Sequence, residues 1–61
     1  MIDIEKLRDH LINFLGLASY YNPNAIADIV FAQHATDEEL IEMALENGFN
    51  LEKYEIKGYS L

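Results

Sequence analysis

The stretch ATDEELIEMALENGFN, residues 35–50, reads as a whole helix with signals at both of its ends. Thr36 opens it and Glu39 follows three residues on, the spacing of a capping box in which each side chain satisfies the other residue's unpaired amide. Gly48 supplies a left-handed position after the last turn, and Phe49 can fold back on Met43 or Ala44 as the apolar contact of a Schellman motif. Between these ends Leu40, Ile41, Ala44 and Leu45 form an apolar stripe. A helix with one such stripe needs a partner to pack against, so the flanking sequence decides the fold.

Upstream, YYNPNA at residues 20–25 punctuates the chain. Asn22 before Pro23 predicts an N-cap followed by proline at the first helical position, where its missing amide hydrogen costs nothing. A second helix is expected from residue 23 to about 33, with Ile26, Ile29, Val30 and Gln33 on its core stripe and Phe31 beside it. Asp28 is its only formal charge, which makes it either the most buried helix or the one that meets a partner. Before it, Ile4, Leu7, Leu11, Phe14, Leu15 and Ala18 recur at helical spacing, predicting a first helix from residue 4 to about 21 with Asp3 as its cap. Gly16 inside that helix costs ~1 kcal/mol against alanine, so the spacing predicts a close crossing or a bend there. Downstream, Asn50 can cap a short last helix, LEKYEI, before Gly58 ends it and leaves a three-residue tail. The expected fold is all-α: one domain over residues 1–61, a compact bundle of three helices with a short fourth C-terminal helix.

Size and charge limit the function classes. At 61 residues the chain buries only about 60% of the surface it would expose unfolded, so nearly every large apolar side chain is needed in one core or on a partner surface. Without cysteine there is no disulfide, no thiolate zinc site and no redox couple, which fits a reducing, cytoplasmic setting. The amino terminus carries acids beside its bases and no long apolar run, unlike a signal peptide, and no stretch approaches the ~20 apolar residues of a membrane span. A formal net charge of -7, with only four basic residues, repels nucleic acid and anionic lipid, so the expected partners are basic proteins or apolar grooves. The second and third helices, joined by QHAT, have the length pattern of a helix-turn-helix. The reading helix would then begin with Asp37, Glu38 and Glu39, which disfavours DNA.

The five charged residues of the 35–50 stretch are all acidic. Those of the first turn suit the helix dipole, whereas Glu38 with Glu42, and Glu42 with Glu46, repel at four-residue spacing, and Glu46 lies near the dipole's negative end. Two explanations compete: a solvated face that keeps a small apolar domain soluble, offset by Lys53 or Lys57 folding back, or a docking face made of Asp37, Glu38, Glu42 and Glu46. Tyr20, Tyr21, Tyr54 and Tyr59 fall near element ends, where the ring can be buried and the hydroxyl stay wet. At least two are expected to close the core. The others, with Leu17 and Phe31, would leave an apolar patch around Tyr20, Tyr21 and Phe31, implying a homodimer or a partner groove.

Nothing points to catalysis. His10 and His34 stand alone, there is no calcium loop, phosphate loop or His-Glu-x-x-His, and little room is expected for a pocket of ~300 Å³. No cofactor, metal or catalytic residue is therefore assigned. The leading expectation is a non-enzymatic protein-protein interaction module; an inhibitor or DNA mimic from a phage or mobile element is the alternative, its carboxylates standing where phosphates would.

The segment ATDEELIEMALENGFNLEKYEI resembles the carboxyl-terminal part of Nif11-type domains, through Glu39, Leu40, Ala44, Gly48 and Phe49. That resemblance implies a small helical module of bacterial type, many members of which are leader segments recognised by a modifying enzyme on a ribosomal peptide precursor. A leader would be followed by a cleavage site, often a glycine pair, and a core rich in Cys, Ser or Thr. Neither is present here, so the resemblance implies a stand-alone recognition domain.

Overall fold

The computed structural model describes residues 1–56. The chain is all-α: α1 spans Ile4–Ala18, α2 Ala25–His34 and α3 Asp37–Glu46, and a 3-10 turn follows at Leu51–Tyr54. Helix α1 is central, since it packs against α2, α3 and the 3-10 turn, while α2 and α3 make little contact with each other. Leu7, Leu11 and Leu15 of α1 meet Ala32 and Ala35 on one side and Leu40 and Ala44 on the other, and these residues form the core.

Helix α3 follows its end signals. The Thr36 hydroxyl accepts from the Glu39 amide at 3.2 Å while the Glu39 carboxylate accepts from the Thr36 amide at 2.9 Å, closing the capping box. At the other end Gly48 has φ 82°, the Phe49 amide donates to Ala44 O at 2.9 Å and the Gly48 amide to Leu45 O at 3.1 Å, which is the Schellman pattern. Phe49 then packs on the core, its ring edge-to-face with Phe14 at 5.4 Å and stacked with Tyr54 at 6.3 Å. Of the expected stripe, Leu40 and Ala44 are buried and Ile41 half-buried, but Leu45 is exposed.

Helix α2 departs from its expected face and start. It buries Ala25 and Ala32, whereas Ile26, Val30 and Phe31 stay 58%, 53% and 48% exposed; only Ile29 of the anticipated stripe packs on the core. Alanines let α2 approach α1 closely, and a helix apolar on nearly all sides has no pattern that dictates its inner face. Of the two roles foreseen for α2, the most buried helix is thus overturned. Its start is delayed because Asn22 Oδ1 accepts from the Asn24 amide at 3.1 Å, a local turn that places Pro23 before the helix. At its far end the Arg8 guanidinium donates to Ala32 O at 2.9 Å and Gln33 O at 3.3 Å, satisfying carbonyls that the helix leaves open.

Helix α1 is shorter than expected, ending at Ala18, where the ladder tightens to three-residue bonds: the Tyr20 amide donates to Leu17 O at 3.2 Å and the Tyr21 amide to Ala18 O at 3.0 Å, while the Ser19 hydroxyl donates to Gly16 O at 2.7 Å. Tyr20 and Tyr21 follow in an exposed turn; of the three described tyrosines only Tyr54 closes the core. Phe14, expected on the core stripe, is partly exposed and reaches the core through Phe49. The last helix is a single 3-10 turn, with Asn50 Oδ1 accepting from the Glu52 amide at 3.0 Å as expected. The chain does not continue helically through Ile56, because Glu55 turns extended and bridges Ile2. The Asp3 amide donates to Tyr54 O at 2.6 Å and the Ile56 amide to Met1 O at 2.7 Å, joining the two ends of the described chain. Lys57, Gly58, Tyr59 and the tail lie outside the described residues.

Candidate interaction surfaces

Because α2 and α3 each lean on α1 rather than on each other, a groove of about 210 Å³ opens between them. Phe31 of α2 faces Glu39, Glu42, Met43 and Glu46 of α3 across it. The four α3 residues recur at i, i+3, i+4 and i+7, so one side of a single helix presents a methionine framed by carboxylates. Glu39 is engaged in the capping box. Glu42 and Glu46 receive no hydrogen bond recorded among the described residues, and α3 has no Lys or Arg of its own. The Arg8 guanidinium is turned to the α2 carbonyls. Lys57, a proposed fold-back cation, lies outside the described residues.

A second, wider groove, about 540 Å³ in volume, runs between α1 and α2 and is lined by Ile12, Asn13, Gly16, Leu17, Tyr20 and Ile29. None of these side chains carries a formal charge. The 3.6-residue period places Ile26 and Val30 on the same flank of α2 as Ile29, and Phe31 with Asp28 on the opposite flank. Leu17 and Tyr20 stand out beside this groove, 68% and 83% exposed. Its volume exceeds the room expected of so small a chain, because it lies between two helices on the surface and not within the core.

The docking residues named from the sequence are therefore separated. Phe31, Glu42 and Glu46 meet in the α2–α3 groove, Tyr20 lies in the α1–α2 groove, and Asp37, Glu38 and Tyr21 are exposed but line neither. Met43 and Glu39 were missed, although the i, i+3, i+4, i+7 spacing with Glu42 and Glu46 could have found them. Gly16, expected at a close crossing or a bend, would meet no heavy atom within 4 Å of an added Cβ, so no element of the described fold crosses it closely.

The histidines have structural surroundings. His10 Nδ1 and the Tyr54 hydroxyl are 2.8 Å apart in a hydrogen bond, with the rings edge-to-face, and His34 occupies the exposed last turn of α2. Among the described residues no group of three or more His, Asp or Glu is placed to hold a metal ion, and no helix is long and apolar enough to cross a membrane. Compared with known proteins, the chain matches no family model, and neither a curated protein nor a solved structure is significantly similar to it.

Proposed function

We propose that the protein is a non-enzymatic interaction module that holds a basic segment of a partner protein in the α2–α3 groove. The observation that carries this reading is the pairing of an exposed aromatic ring, Phe31, with Glu42 and Glu46 around Met43. A lysine or arginine entering there would lay its aliphatic stem along Phe31 and Met43 and set its charge between carboxylates. A cation over the ring adds about 0.5–2 kcal/mol, depending on how far it is desolvated. The two glutamates accept mutual repulsion at i, i+4 and an unfavourable end of the dipole; a cationic partner would relieve both. The lack of cysteine fits work in the cytoplasm.

The test is affinity capture from native lysate with four baits: the native chain, Phe31→Ala, Glu42→Gln with Glu46→Gln, and the charge-matched control Glu38→Gln with Glu52→Gln, whose residues lie outside the groove lining. A partner retained by the native chain and the control, and lost by both groove variants, is expected. Identical captures by all four would refute the groove.

A further inference from the structure

Of the asparagines in the chain, Asn47 is the one followed by glycine. The others precede Phe14, Pro23, Ala25 and Leu51, whose side chains crowd the backbone nitrogen or, in proline, leave it without a proton. A glycine nitrogen is unobstructed and can reach back to the preceding side-chain amide. This pair stands at the exposed end of α3, where three bonds hold it. Asn47 Nδ2 donates to Met43 O at 2.8 Å, the Gly48 amide to Leu45 O at 3.1 Å and the Phe49 amide to Ala44 O at 2.9 Å. Asn47 has ψ 9°, which turns the Gly48 nitrogen away from the Asn47 Cβ, whereas closing a five-membered ring requires the two to eclipse across the Cα–C bond. The pair best suited to ring closure is held in a conformation that forbids it.

We propose that Asn47 is a deamidation site gated by the last turn of α3, and that its products cannot rebuild that turn. Once the turn unwinds, the Gly48 nitrogen gives its proton to hydroxide and bonds to Asn47 Cγ. The Cγ–Nδ2 bond breaks, and the amide leaves as ammonia after taking a proton from water. Water then hydrolyses the succinimide: breaking the new Cγ–N bond yields aspartate, and breaking the original peptide bond yields isoaspartate. One water is consumed and one ammonia released, with no redox partner. Neither product carries the Nδ2 donor that Met43 O receives. Aspartate sets a further carboxylate beside Glu46 at the negative end of the α3 dipole. Isoaspartate adds a methylene to the backbone, which shifts Gly48 and Phe49 out of register with Leu45 O and Ala44 O and draws the Phe49 ring from Phe14. The change is therefore one-way, and it makes the net charge of -7 one unit more negative. Asn47 lines neither groove, so this site stands or falls apart from the basic partner.

The test holds the full chain at mildly alkaline pH, in native buffer and in guanidinium chloride, and follows conversion of each asparagine by peptide mapping with mass spectrometry. Conversion at Asn47 ahead of the other asparagines is expected in both, at least tenfold faster in guanidinium. Phe49→Ala, which removes the ring that anchors the turn, should speed conversion in native buffer and leave the guanidinium rate unchanged. A second comparison reads the product without waiting for it. Asn47→Asp should melt well below the native chain, whereas the charge-matched Asn50→Asp, whose carboxylate still accepts from the Glu52 amide, should fall less. Equal rates in native buffer and guanidinium, faster conversion at another asparagine, a native-buffer rate that Phe49→Ala leaves unchanged, or an Asn47→Asp chain that melts no lower than Asn50→Asp would each overturn the proposal.

Discussion

One flank of α2 looks across Ile29 to Gly16 and Leu17 of α1, a wall without formal charge, whereas the other looks across Phe31 to Glu42 and Glu46 of α3. The helix is the same but its flanks differ, Ile26, Ile29 and Val30 on one and Phe31 with Asp28 on the other, so flank and neighbour together decide what each groove can receive. The buried residues of α2 are alanines, and of its branched side chains only Ile29 packs on the core. A helix that turns its small residues inward leaves its large ones exposed, which a chain this short can do only if the remaining core suffices. Here it does so through three leucines of α1 and Leu40. The practical lesson lies in salt: contacts in the acidic groove should weaken as ionic strength rises, and contacts in the uncharged one should not.

The most severe way to break the comparison is to force α2 away from α1. Ala32 is fully buried, so Ala32→Leu should overpack the contact and cost about 1–3 kcal/mol in urea unfolding, disturbing both grooves together. Charge reversal separates them. Glu42→Lys with Glu46→Lys should abolish capture of a basic partner, at least a tenfold loss by calorimetry, while leaving the uncharged α1–α2 groove as it is. Thr36→Ala should cost about 1 kcal/mol of stability by removing the hydroxyl that accepts from the Glu39 amide, while the Glu39 carboxylate keeps its bond from the backbone amide of residue 36. The smallest effects test the geometry itself. Val30→Thr on the exposed flank should change stability by less than about 0.5 kcal/mol, and Glu46→Gln should raise it by a few tenths of a kcal/mol by easing repulsion and the dipole; a larger loss in either would mean that the side chain is packed and not presented.

How much of this was readable beforehand follows from where the information resides. The ends of α3 were legible because a cap is local: Thr36 and Glu39, or Gly48 and Phe49, lie within a few residues of the bonds they make. The residues that carry the Nif11-type resemblance, Glu39, Leu40, Ala44, Gly48 and Phe49, have such capping or core positions here. The inner face of α2 was not legible, because Ile26, Ile29, Val30 and Ala32 are all apolar and only contact with α1 selects among them. The acidic groove was half legible. Glu42 and Glu46 announced themselves by their repulsion and Phe31 by its excess over the core, but their meeting across a gap depends on α2 and α3 diverging. The bridge between residues 2 and 55 had no signal at all, because strand-like pairing of two residues leaves no periodicity to detect.

That bridge has a kinetic consequence. It joins positions separated by almost the whole described chain, so forming it first would close the longest loop available, and the entropy of closure grows with the logarithm of loop length. The helices need only local contacts and the α1 leucines to assemble, which places the Ile2–Glu55 pairing last on folding and first to open on unfolding. In hydrogen exchange the amides of Asp3 and Ile56, both held by this pairing, should then exchange well before those of Leu11 and Leu15. The molecule would breathe at its joined ends while the helical core stays shut.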